Sequence, residues 1–339
     1  MPTTMQAAVI DAYRQPFPTI KQVPRPQVRP HDVLVRIVAA SINPIDLKTK
    51  DGGLKLLLPY DLPVILGSDF AGTVTAVGSA VTDYAVGNAV FGRVTKDRIG
   101  TFAEYIAVDH SAIARMPRNL SFEAAAALPL VGLTSYQALH DIMHLQPGQK
   151  VLIQGGSGGI GTIAIQLAKH FGAYVATTTS EDHFDLVQSL GADQSIDYHT
   201  TNFADVLADY DAVFDTRGGQ TLADAFRIVK PGGQVVSIAG LPNARFGKAY
   251  GVAWWKRLAF GLATRQLTRL EKQSHATYTF LFMQPNGAQL TQLAQFVEAG
   301  IITPVIDRVV PFDQLNQALA YSQAGQAVGK IILKIGQEA

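Results

Sequence analysis

Several glycines lie close together between residues 155 and 161, where a strand-like segment meets a helix-like one. Val151, Leu152 and Ile153 form a short apolar run of the kind buried in parallel sheets, and apolar residues recur at helical spacing after the glycines. The spacing G-x-G-x-x-G allows a tight turn, close approach of the backbone to a pyrophosphate, and close packing of helix on strand. The first amides of the helix and the positive end of its dipole favour phosphate. The loop predicts dinucleotide binding, with a purely structural turn as the alternative, through Gly156, Ser157, Gly158, Gly159, Ile160 and Gly161.

The next strand-like segment ends in hydroxyl side chains, from Thr177 to Ser180. NAD-dependent proteins usually carry Asp or Glu about 20 residues beyond the glycines, where the carboxylate binds the 2′-hydroxyl of the adenosine ribose. Thr178 stands at that position, and its hydroxyl does not repel a 2′-phosphate as a carboxylate would, so NADP is favoured as the cofactor. Ser180 is a further cofactor-binding candidate at this strand end. Glu181 and Asp182 follow directly, and they keep NAD open as the alternative.

Two kinds of pattern divide the chain. Before residue 120, short β-branched and apolar segments are separated by glycine and proline, which indicates a small β-barrel-like domain with long loops. From Ser121 onward, helix-like and strand-like segments alternate, as in a doubly wound parallel sheet. A helix is predicted from Thr134 to His144, and the last strand of this sheet from Thr277 to Phe282. We therefore predict an α/β fold that combines a Rossmann sheet with a β-barrel-like domain.

Composition excludes several classes of protein. The chain has 339 residues, a net charge of +1, a pI of about 7.9 and no cysteine. The length suggests two domains, the near-neutral charge does not favour nucleic acid, and the lack of cysteine excludes disulfides and thiolate zinc ligands. The first residues lack the pattern of a signal peptide, and the longest apolar run, Ala124 to Leu133, is too short to span a membrane. A soluble, cytoplasmic protein with no membrane or nucleic-acid partner is expected.

A set of motifs runs in order through the chain: SINPIDLK at 41–48, LGSDFAGTVTAVG at 66–78, GTFAEY at 100–105, GLT at 132–134, the glycine loop, IDY at 196–198 and GK at 329–330. This set resembles the medium-chain dehydrogenase/reductase superfamily, and within it the zinc-independent quinone oxidoreductase (zeta-crystallin-like) branch. The resemblance implies a GroES-like catalytic domain at 1–124, completed by 287–339, and a Rossmann domain at 125–286. It also implies an active site in the cleft between the domains and a homodimer.

The resemblance also assigns residues to the cofactor. Thr134 resembles the family threonine at the start of a helix facing the nicotinamide, and Tyr198 the tyrosine that contacts the 2′-phosphate. His183 stands where relatives often carry a lysine for that phosphate, and Lys330 is expected near the cofactor. A helix-capping threonine, a packing tyrosine and a solvated lysine are the respective alternatives. The nicotinamide ribose would be lined by the backbone of Thr216 and Ala239.

The zinc ligands of the alcohol dehydrogenase relatives are missing. Their Gly-His-Glu motif is matched only by Gly67, Ser68 and Asp69, and no cysteine is present, so no metal is expected. His140 and His144 lie one helical turn apart, like the histidines of a zinc motif. Because no third ligand is evident nearby, we interpret them as part of an exposed helix.

The chemistry implied by the resemblance is hydride transfer from NADPH to a quinone or to the β-carbon of an α,β-unsaturated carbonyl compound. Asn43 resembles the family asparagine near the substrate oxygen and would donate to that oxygen as negative charge develops, with a turn residue as the alternative. Tyr60 is the nearby hydroxyl that would supply a proton, although water also serves. Asp46 and Asp69 are interpreted as residues that orient loops, with proton donation as the alternative. An enoyl-thioester reductase of lipid or polyketide metabolism and a non-catalytic NADPH-binding structural protein are the alternative functions.

Residues 249–270 combine aromatic and basic side chains in an unusual way. Trp254 and Trp255 are followed by Lys256 and Arg257, and further aromatic and basic residues follow. We interpret this segment as a helix that covers the active site or as a contact between subunits, with a helix on a membrane surface as the alternative.

Overall fold

The computed structural model describes residues 3–337. Its strands are β1 (Thr4–Ile10), β2 (Thr19–Pro24), β3 (Asp32–Ile42), β4 (Val64–Ile65), β5 (Asp69–Val77), β6 (Ala89–Arg93), β7 (Tyr105–Asp109), β8 (Ile113–Arg115), β9 (Lys150–Gln154), β10 (Tyr174–Thr179), β11 (Gln194–Asp197), β12 (Tyr210–Asp215), β13 (Val229–Ser237), β14 (Thr277–Phe280), β15 (Ile306–Pro311) and β16 (Lys330–Lys334). Its α-helices are α1 (Pro44–Lys50), α2 (Phe122–Ala126), α3 (Pro129–Tyr136), α4 (Gly159–His170), α5 (Phe184–Ser189), α6 (Phe203–Val206), α7 (Gly219–Ile228), α8 (Ala244–Ala249), α9 (Trp254–Ala263), α10 (Arg265–Ser274), α11 (Gly287–Glu298) and α12 (Leu315–Gln323).

The chain packs as two units. Residues Thr134–Met283 form one unit, and the described residues on either side of that range form the other. The domains predicted from the sequence, which divide the chain at residues 125 and 286, are functional domains rather than packing units, and their limits stay a prediction.

The unit Thr134–Met283 is built on a six-stranded sheet in the order β11-β10-β9-β12-β13-β14. Every strand pair in it is parallel. Counted from β9 the order is 3-2-1-4-5-6, which is the Rossmann order, with its reversal between β9 and β12. Leu152, Val213 and Val235 in three of these strands have no exposed surface, as expected where helices cover both faces of a sheet. The predicted Rossmann sheet is confirmed.

The other unit carries two sheets. One has seven strands, in the order β15-β16-β3-β5-β6-β8 with β7 paired to β3, and the other has the order β2-β1-β4. Strand β16 pairs in parallel with β15 and antiparallel with β3, so it lies inside the larger sheet. Ile37, Leu66, Phe70 and Phe102 are buried in the core that these strands enclose. The predicted β-barrel-like fold of GroES type is confirmed.

The helix predicted from Thr134 to His144 is placed differently in the structure. Helix α3 begins at Pro129 and runs to Tyr136, and a π-helical segment continues it over Gln137–Ile142. A proline at the first helical position loses no hydrogen bond and has the φ angle that a helix needs, which explains the earlier start. Thr134 therefore lies in the second half of α3, and its expected position at the start of a helix was wrong.

Candidate active site

The glycine loop joins β9 to α4 and depends on two glycines for its packing. A Cβ atom on Gly156 would clash with the side chain of Thr177 in β10. A Cβ atom on Gly161 would clash with the backbone of Gly155 and Gly156. These two positions hold the loop close to the neighbouring strand and close to the first turn of the helix, which are two of the roles inferred for the glycines.

The start of α4 presents backbone donors. Gly158 is the residue before the helix and has extended backbone angles of φ −76° and ψ 166°. The first hydrogen bond of the helix runs from the amide of Thr162 to Gly158 O, at 3.0 Å. The amides of Gly159, Ile160 and Gly161 belong to the first turn, where a helix offers no carbonyl one turn earlier. A Cβ atom at Gly158 would have only ordinary contacts, the nearest being Gly155 O at 3.4 Å. This open ring of amides fits a pyrophosphate.

Hydroxyls at the end of β10 support the loop from the side. Thr178 Oγ1 accepts a hydrogen bond from the amide of Gly155 at 3.1 Å, and Thr178 O accepts one from Gly156 at 2.9 Å. Thr179 Oγ1 donates to Ser157 Oγ at 2.9 Å. The structure therefore brings Thr178 and Ser157, both predicted to bind the cofactor, into one hydrogen-bonded group with the glycines.

The remaining candidates for the 2′-phosphate stand beside this strand end. Ser180 Oγ and His183 Nδ1 are 2.5 Å apart, and Tyr198 is tied to the same place because its amide donates to Thr179 O at 3.3 Å. The Tyr198 side chain is exposed, with its ring 4.2 Å from the ring of His199. Ser180 and His183 thus form one polar pair, with Tyr198 on the neighbouring strand end, and contact of these residues with a phosphate stays a prediction.

Two residues that the sequence analysis missed hold the ends of β12 and β13. Asp215 Oδ1 accepts the amides of Arg217 at 3.1 Å and Gly218 at 2.8 Å, while Asp215 Oδ2 accepts a hydrogen bond from Ser237 Oγ. Ser237 Oγ in turn accepts the amide of Ala239 at 3.1 Å. Burial raises the pKa of Asp215. The signal in the sequence was a polar residue directly after a buried apolar run, in both strands.

Thr216 and Thr134 also lie in this part of the Rossmann unit. Thr216 Oγ1 donates to Gln154 O at 2.7 Å, so the residue packs on the end of β9. Thr134 is buried in α3, and the next residue, Ser135, donates to Ile160 O at 3.3 Å. The candidates Thr134, Thr216 and Ala239 are thus all positioned by the carboxyl ends of the central strands or by the loop beside them.

In the other unit, Lys330 and Asn43 meet in a buried polar network. Lys330 Nζ donates to Ile42 O at 3.1 Å and to Asn43 Oδ1. Asn43 Nδ2 donates to Asp69 Oδ1 at 2.9 Å and to Ser41 O at 3.2 Å. Since its amide hydrogens are used in this way, Asn43 acts here as a link between Lys330 and Asp69. Its predicted donation to a substrate oxygen stays a prediction.

Asp69 is the anionic partner in this network. It also accepts hydrogen bonds from Ser41 Oγ at 2.7 Å and from the amide of Leu130 at 3.2 Å. Burial raises its pKa and lowers that of Lys330, while the charge of each group opposes the shift of the other. With three donors aimed at it, Asp69 is best described as a carboxylate opposite a lysine ammonium.

Asp46 is a buried carboxyl group next to that network. Its Oδ2 accepts the amide of Asn43 at 2.9 Å, and Ser68 Oγ is 2.6 Å from its Oδ1. Burial raises the pKa of Asp46 to about 7, with a further contribution from the charge of Asp69, whereas the Ser68 hydrogen bond opposes the shift. Near neutral pH this carboxyl group is therefore partly protonated. From the sequence it was interpreted as a residue that orients a loop, with proton donation as the alternative, because its burial is a property of the fold.

Tyr60 is placed against a different backbone segment. Its hydroxyl donates to Lys96 O at 2.6 Å. Its backbone amide donates to Tyr13 Oη at 2.9 Å. Burial raises the pKa of Tyr60 to about 12, and burial together with the charge of Arg93 lowers that of Lys96 to about 7. The proposed proton donation by Tyr60 stays a prediction, and Asp46 is a second group that can serve.

The raised pKa of Asp46 should be visible in the stability of the protein. A carboxyl group that keeps its proton to about pH 7 when folded, but loses it near 3.8 when unfolded, makes stability fall as pH rises through that window. The Asp46→Asn variant lacks this titration. Wild-type stability relative to that variant should therefore fall by about 2–4 kcal/mol between about pH 4 and pH 8.

Urea unfolding across this pH range measures the effect. Ser68→Ala removes the hydrogen bond that opposes the shift, so it should move the midpoint of the wild-type titration to higher pH. Parallel stability curves for wild type and Asp46→Asn would show that Asp46 is ionised throughout.

The described residues hold no metal centre of ordinary composition. Within residues 3–337 no group of three or more His, Asp or Glu side chains stands close enough to hold an ion. His140 Nδ1 is 2.7 Å from the carboxylate of Asp141, and its ring stacks on Tyr136, while His144 lies beyond the π-helical segment with φ +49°. In the same range no helix has both the length and the apolar content needed to cross a bilayer.

The sheet order and the amide-rich loop define a dinucleotide-binding protein of Rossmann type. Residues 29–118 match the alcohol dehydrogenase GroES-like domain, and residues 190–333 match the family described as zinc-binding dehydrogenase. The 2-methylene-furan-3-one reductase of Solanum lycopersicum is 36% identical over 91% of this chain and 73% of its own length. The NADPH-dependent alkenal/one oxidoreductase of Arabidopsis thaliana, a chloroplast protein, is 34% identical over the same shares.

Solved structures agree with these relatives. The quinone oxidoreductase from Coxiella burnetii superposes with a TM-score of 0.85 at 30% identity, over 98% of this chain and 100% of that one. The chain belongs to the medium-chain dehydrogenase/reductase superfamily, a family of oxidoreductases. Its predicted resemblance to the quinone oxidoreductase branch is confirmed.

Proposed function

We propose that this protein is an NADPH-dependent reductase of quinones or of α,β-unsaturated carbonyl compounds. The observation that carries the proposal is Thr178, a hydroxyl at the β10 end where NAD-dependent proteins carry a carboxylate, held against the glycine loop at 3.1 Å. The relatives named for NADPH-dependent alkenal/one and furanone reduction, and the structure titled as a quinone oxidoreductase, support the same class of reaction.

The Rossmann unit supplies the cofactor contacts in this proposal. The amides of Gly159, Ile160 and Gly161 would bind the pyrophosphate, and the backbone of Thr216 and Ala239 would line the nicotinamide ribose. The 2′-phosphate would lie near Thr178, Ser180, His183 and Tyr198. Bound NADPH would supply the hydride, and the protein would contribute position and orientation.

The GroES-like unit supplies the proton in this proposal. Reduction of an enone or a quinone leaves negative charge on an oxygen or on the adjacent carbon, which must then gain a proton. Asp46 is partly protonated near neutral pH, because burial raises its pKa to about 7, and it accepts a hydrogen bond from Ser68 Oγ at 2.6 Å. Lys330 holds the preceding segment in place by donating to Ile42 O and to Asn43 Oδ1. Three groups can supply this proton, and substitutions distinguish them: Asp46 through Ser68, Tyr60, and bulk water.

We also propose that the reaction needs no zinc. The sequence contains no cysteine, and Ser68, which stands where the relatives have the histidine of Gly-His-Glu, uses its hydroxyl in the contact with Asp46. Dialysis against a strong chelator should leave turnover unchanged. Restoration of a lost activity by zinc would contradict this point. The homodimer and the cytoplasmic location predicted from the sequence stay predictions.

Steady-state oxidation of NADPH with a panel of quinones, alkenals, enones and an enoyl thioester tests the function. We expect turnover with at least one quinone or enone and little with the thioester. In a second set, Asp46→Asn and Tyr60→Phe should differ in kcat if only one of them supplies the proton. A protein that binds NADPH but reduces nothing in the panel would instead be a non-catalytic binding protein.

Cofactor preference should change on adding one charge at β10. Thr178→Asp should weaken NADPH binding about 10-fold or more and should strengthen NADH binding, because a carboxylate repels the 2′-phosphate and accepts from the 2′-hydroxyl. Ser189→Asp, which adds the same charge at an exposed position of α5, is the matched control. Titration of wild type and both variants with each reduced nucleotide, followed by fluorescence, gives the six affinities. Equal weakening of NADPH and NADH by Thr178→Asp would mean that the residue acts on the loop alone.

A further inference from the structure

Helix α9 presents an apolar face to solvent. Trp254, Trp255, Leu258 and Leu262 are 65%, 53%, 61% and 58% exposed, and Ala259 between them is exposed as well. These residues recur at the spacing of successive helical turns, so they form one continuous stripe. Lys256 lies beside the stripe, with its Nζ over the ring of Trp255 at 5.6 Å from the ring centroid.

The orientation of α9 is fixed by its other face. Phe260 is 5% exposed, and a Cβ atom on Gly247 of α8 would lie 3.0 Å from Arg257 and 3.1 Å from Phe260. The two helices therefore pack closely through this face. The stripe points outward because Phe260, and not the tryptophans, fills the contact with α8.

The surrounding helices carry a strong positive charge. The segment from residue 244 to residue 274 contains one acidic residue, Glu271, which pairs with Arg245. Its basic residues are Arg245, Lys248, Lys256, Arg257, Arg265, Arg269 and Lys272. The segment thus has a net charge of +6, whereas the whole chain has +1.

We propose that the α9 stripe, defined as Trp254, Trp255, Leu258 and Leu262, is a docking surface for an anionic lipid bilayer. Tryptophan and leucine on one helix face, flanked by lysine and arginine, are the features of helices that lie in the headgroup region. The anionic surface attracts the basic residues of the segment, and the stripe enters the region between headgroups and acyl chains.

Charge and the composition of the stripe favour a lipid bilayer over two other partners, a second copy of the chain and an acidic protein. A second copy of the chain would bring two segments of charge +6 together, which opposes contact through the stripe. An acidic protein would satisfy the charge, but the stripe offers such a partner no polar side chain other than indole. This proposal departs from the expectation of no membrane partner, because the exposure and alignment of the stripe are visible only in the structure.

The two tryptophans make the test direct, because the chain contains no others. The full-length protein is titrated with vesicles of phosphatidylcholine, and with vesicles of phosphatidylcholine and phosphatidylglycerol, while tryptophan emission is recorded. We expect red-shifted, quencher-accessible emission in buffer. The anionic vesicles should shift it to the blue and protect it from quencher, with partitioning roughly 10-fold or more above that of the neutral vesicles.

Variants separate the two contributions. Trp254→Ser with Leu258→Ser keeps Trp255 as reporter and should abolish the blue shift. Arg265→Gln, Arg269→Gln and Lys272→Gln together should reduce partitioning onto anionic vesicles by roughly 100-fold. The matched controls are Val86→Ser with Val206→Ser, which are equally exposed apolar sites, and Arg14→Gln with Lys55→Gln and Arg118→Gln, which are exposed basic sites. Both controls should bind as wild type does, and circular dichroism checks that every variant is folded.

Three results would overturn the proposal. The first is an unchanged emission spectrum with both kinds of vesicle. The second is blue emission in buffer that reverts on dilution, which would identify a second copy of the chain as the occupant. The third is a blue shift of tryptophan emission with an acidic polypeptide, such as polyglutamate, without any shift with lipid vesicles.

Discussion

Replacing Lys330 by methionine should lower the free energy of unfolding by about 3–5 kcal/mol at neutral pH, because the buried carboxylates lose their cation. Lys330 is 5% exposed, Asp46 2% and Asp69 0%. Methionine fills a similar volume, so the loss comes from uncompensated charge and not from a cavity. The loss should shrink as pH falls, since both carboxyl groups have raised pKa values and take up protons in the variant.

A matched lysine gives the control for this prediction. Lys50 is also 5% exposed, but its partner Asp51 keeps half of its side chain in solvent. Lys50→Met should therefore cost much less, on the order of 1 kcal/mol. Adding Asp69→Asn to Lys330→Met should restore part of the lost stability. Equal losses at positions 330 and 50, measured by urea unfolding, would show that the network around Asn43 does not depend on the charge of Lys330.

Two alanine substitutions in the glycine loop should have different effects. Gly161→Ala drives a methyl group into the backbone of Gly155 and Gly156, so it should cost about 2–3 kcal/mol of stability and abolish NADPH binding. Gly158→Ala meets no atom closer than 3.4 Å, and its cost to stability should be about 1 kcal/mol or less. It should nevertheless weaken NADPH binding about 10-fold or more, because the methyl group occupies the space that a pyrophosphate needs.

Thermal unfolding and NADPH titration of the two variants check this difference. Gly261→Ala is the control. Gly261 lies inside α9, and its added Cβ would be 3.7 Å from Ala244, so this substitution should be neutral or stabilising. If Gly158→Ala binds NADPH as tightly as wild type, the pyrophosphate does not lie against this turn, and the proposed cofactor site is in the wrong place.

Local patterns explain what was predictable from the sequence. The glycine loop and the alternation of strands and helices depend on spacings of a few residues, and the structure has the Rossmann order that they indicate. The start of α3 was misjudged because the pattern was interpreted as a helix from Thr134, while Pro129 was available as the local signal. Asp215 and Ser237 were overlooked because each is a single polar residue after an apolar run, and only the fold shows that they bond to each other.

Long-range contacts explain what was not predictable. Lys330 and Asn43 are 287 residues apart, and no periodicity connects them. The resemblance placed both near the reaction, but it gave no reason to expect that the amide of Asn43 would be used between Lys330 and Asp69. The raised pKa of Asp46 likewise depends on burial in the folded protein, and the residues adjacent to Asp46 in the sequence do not predict that burial.

The position of β16 inside the larger sheet has a consequence for biosynthesis. The strand is second from the edge of that sheet, between β15 and β3, and Lys330 Nζ at its start donates to Ile42 O, 288 residues earlier. While a ribosome is still making the chain, residues 39–42 of β3 lack this partner, although β5 and β7 can already pair with β3. The nucleotide-binding unit, whose strands are all contiguous between residues 150 and 280, can fold during that time. We therefore expect nascent chains to acquire protease resistance first in the middle of the molecule, and a chaperone to be needed chiefly by the segment that was made first.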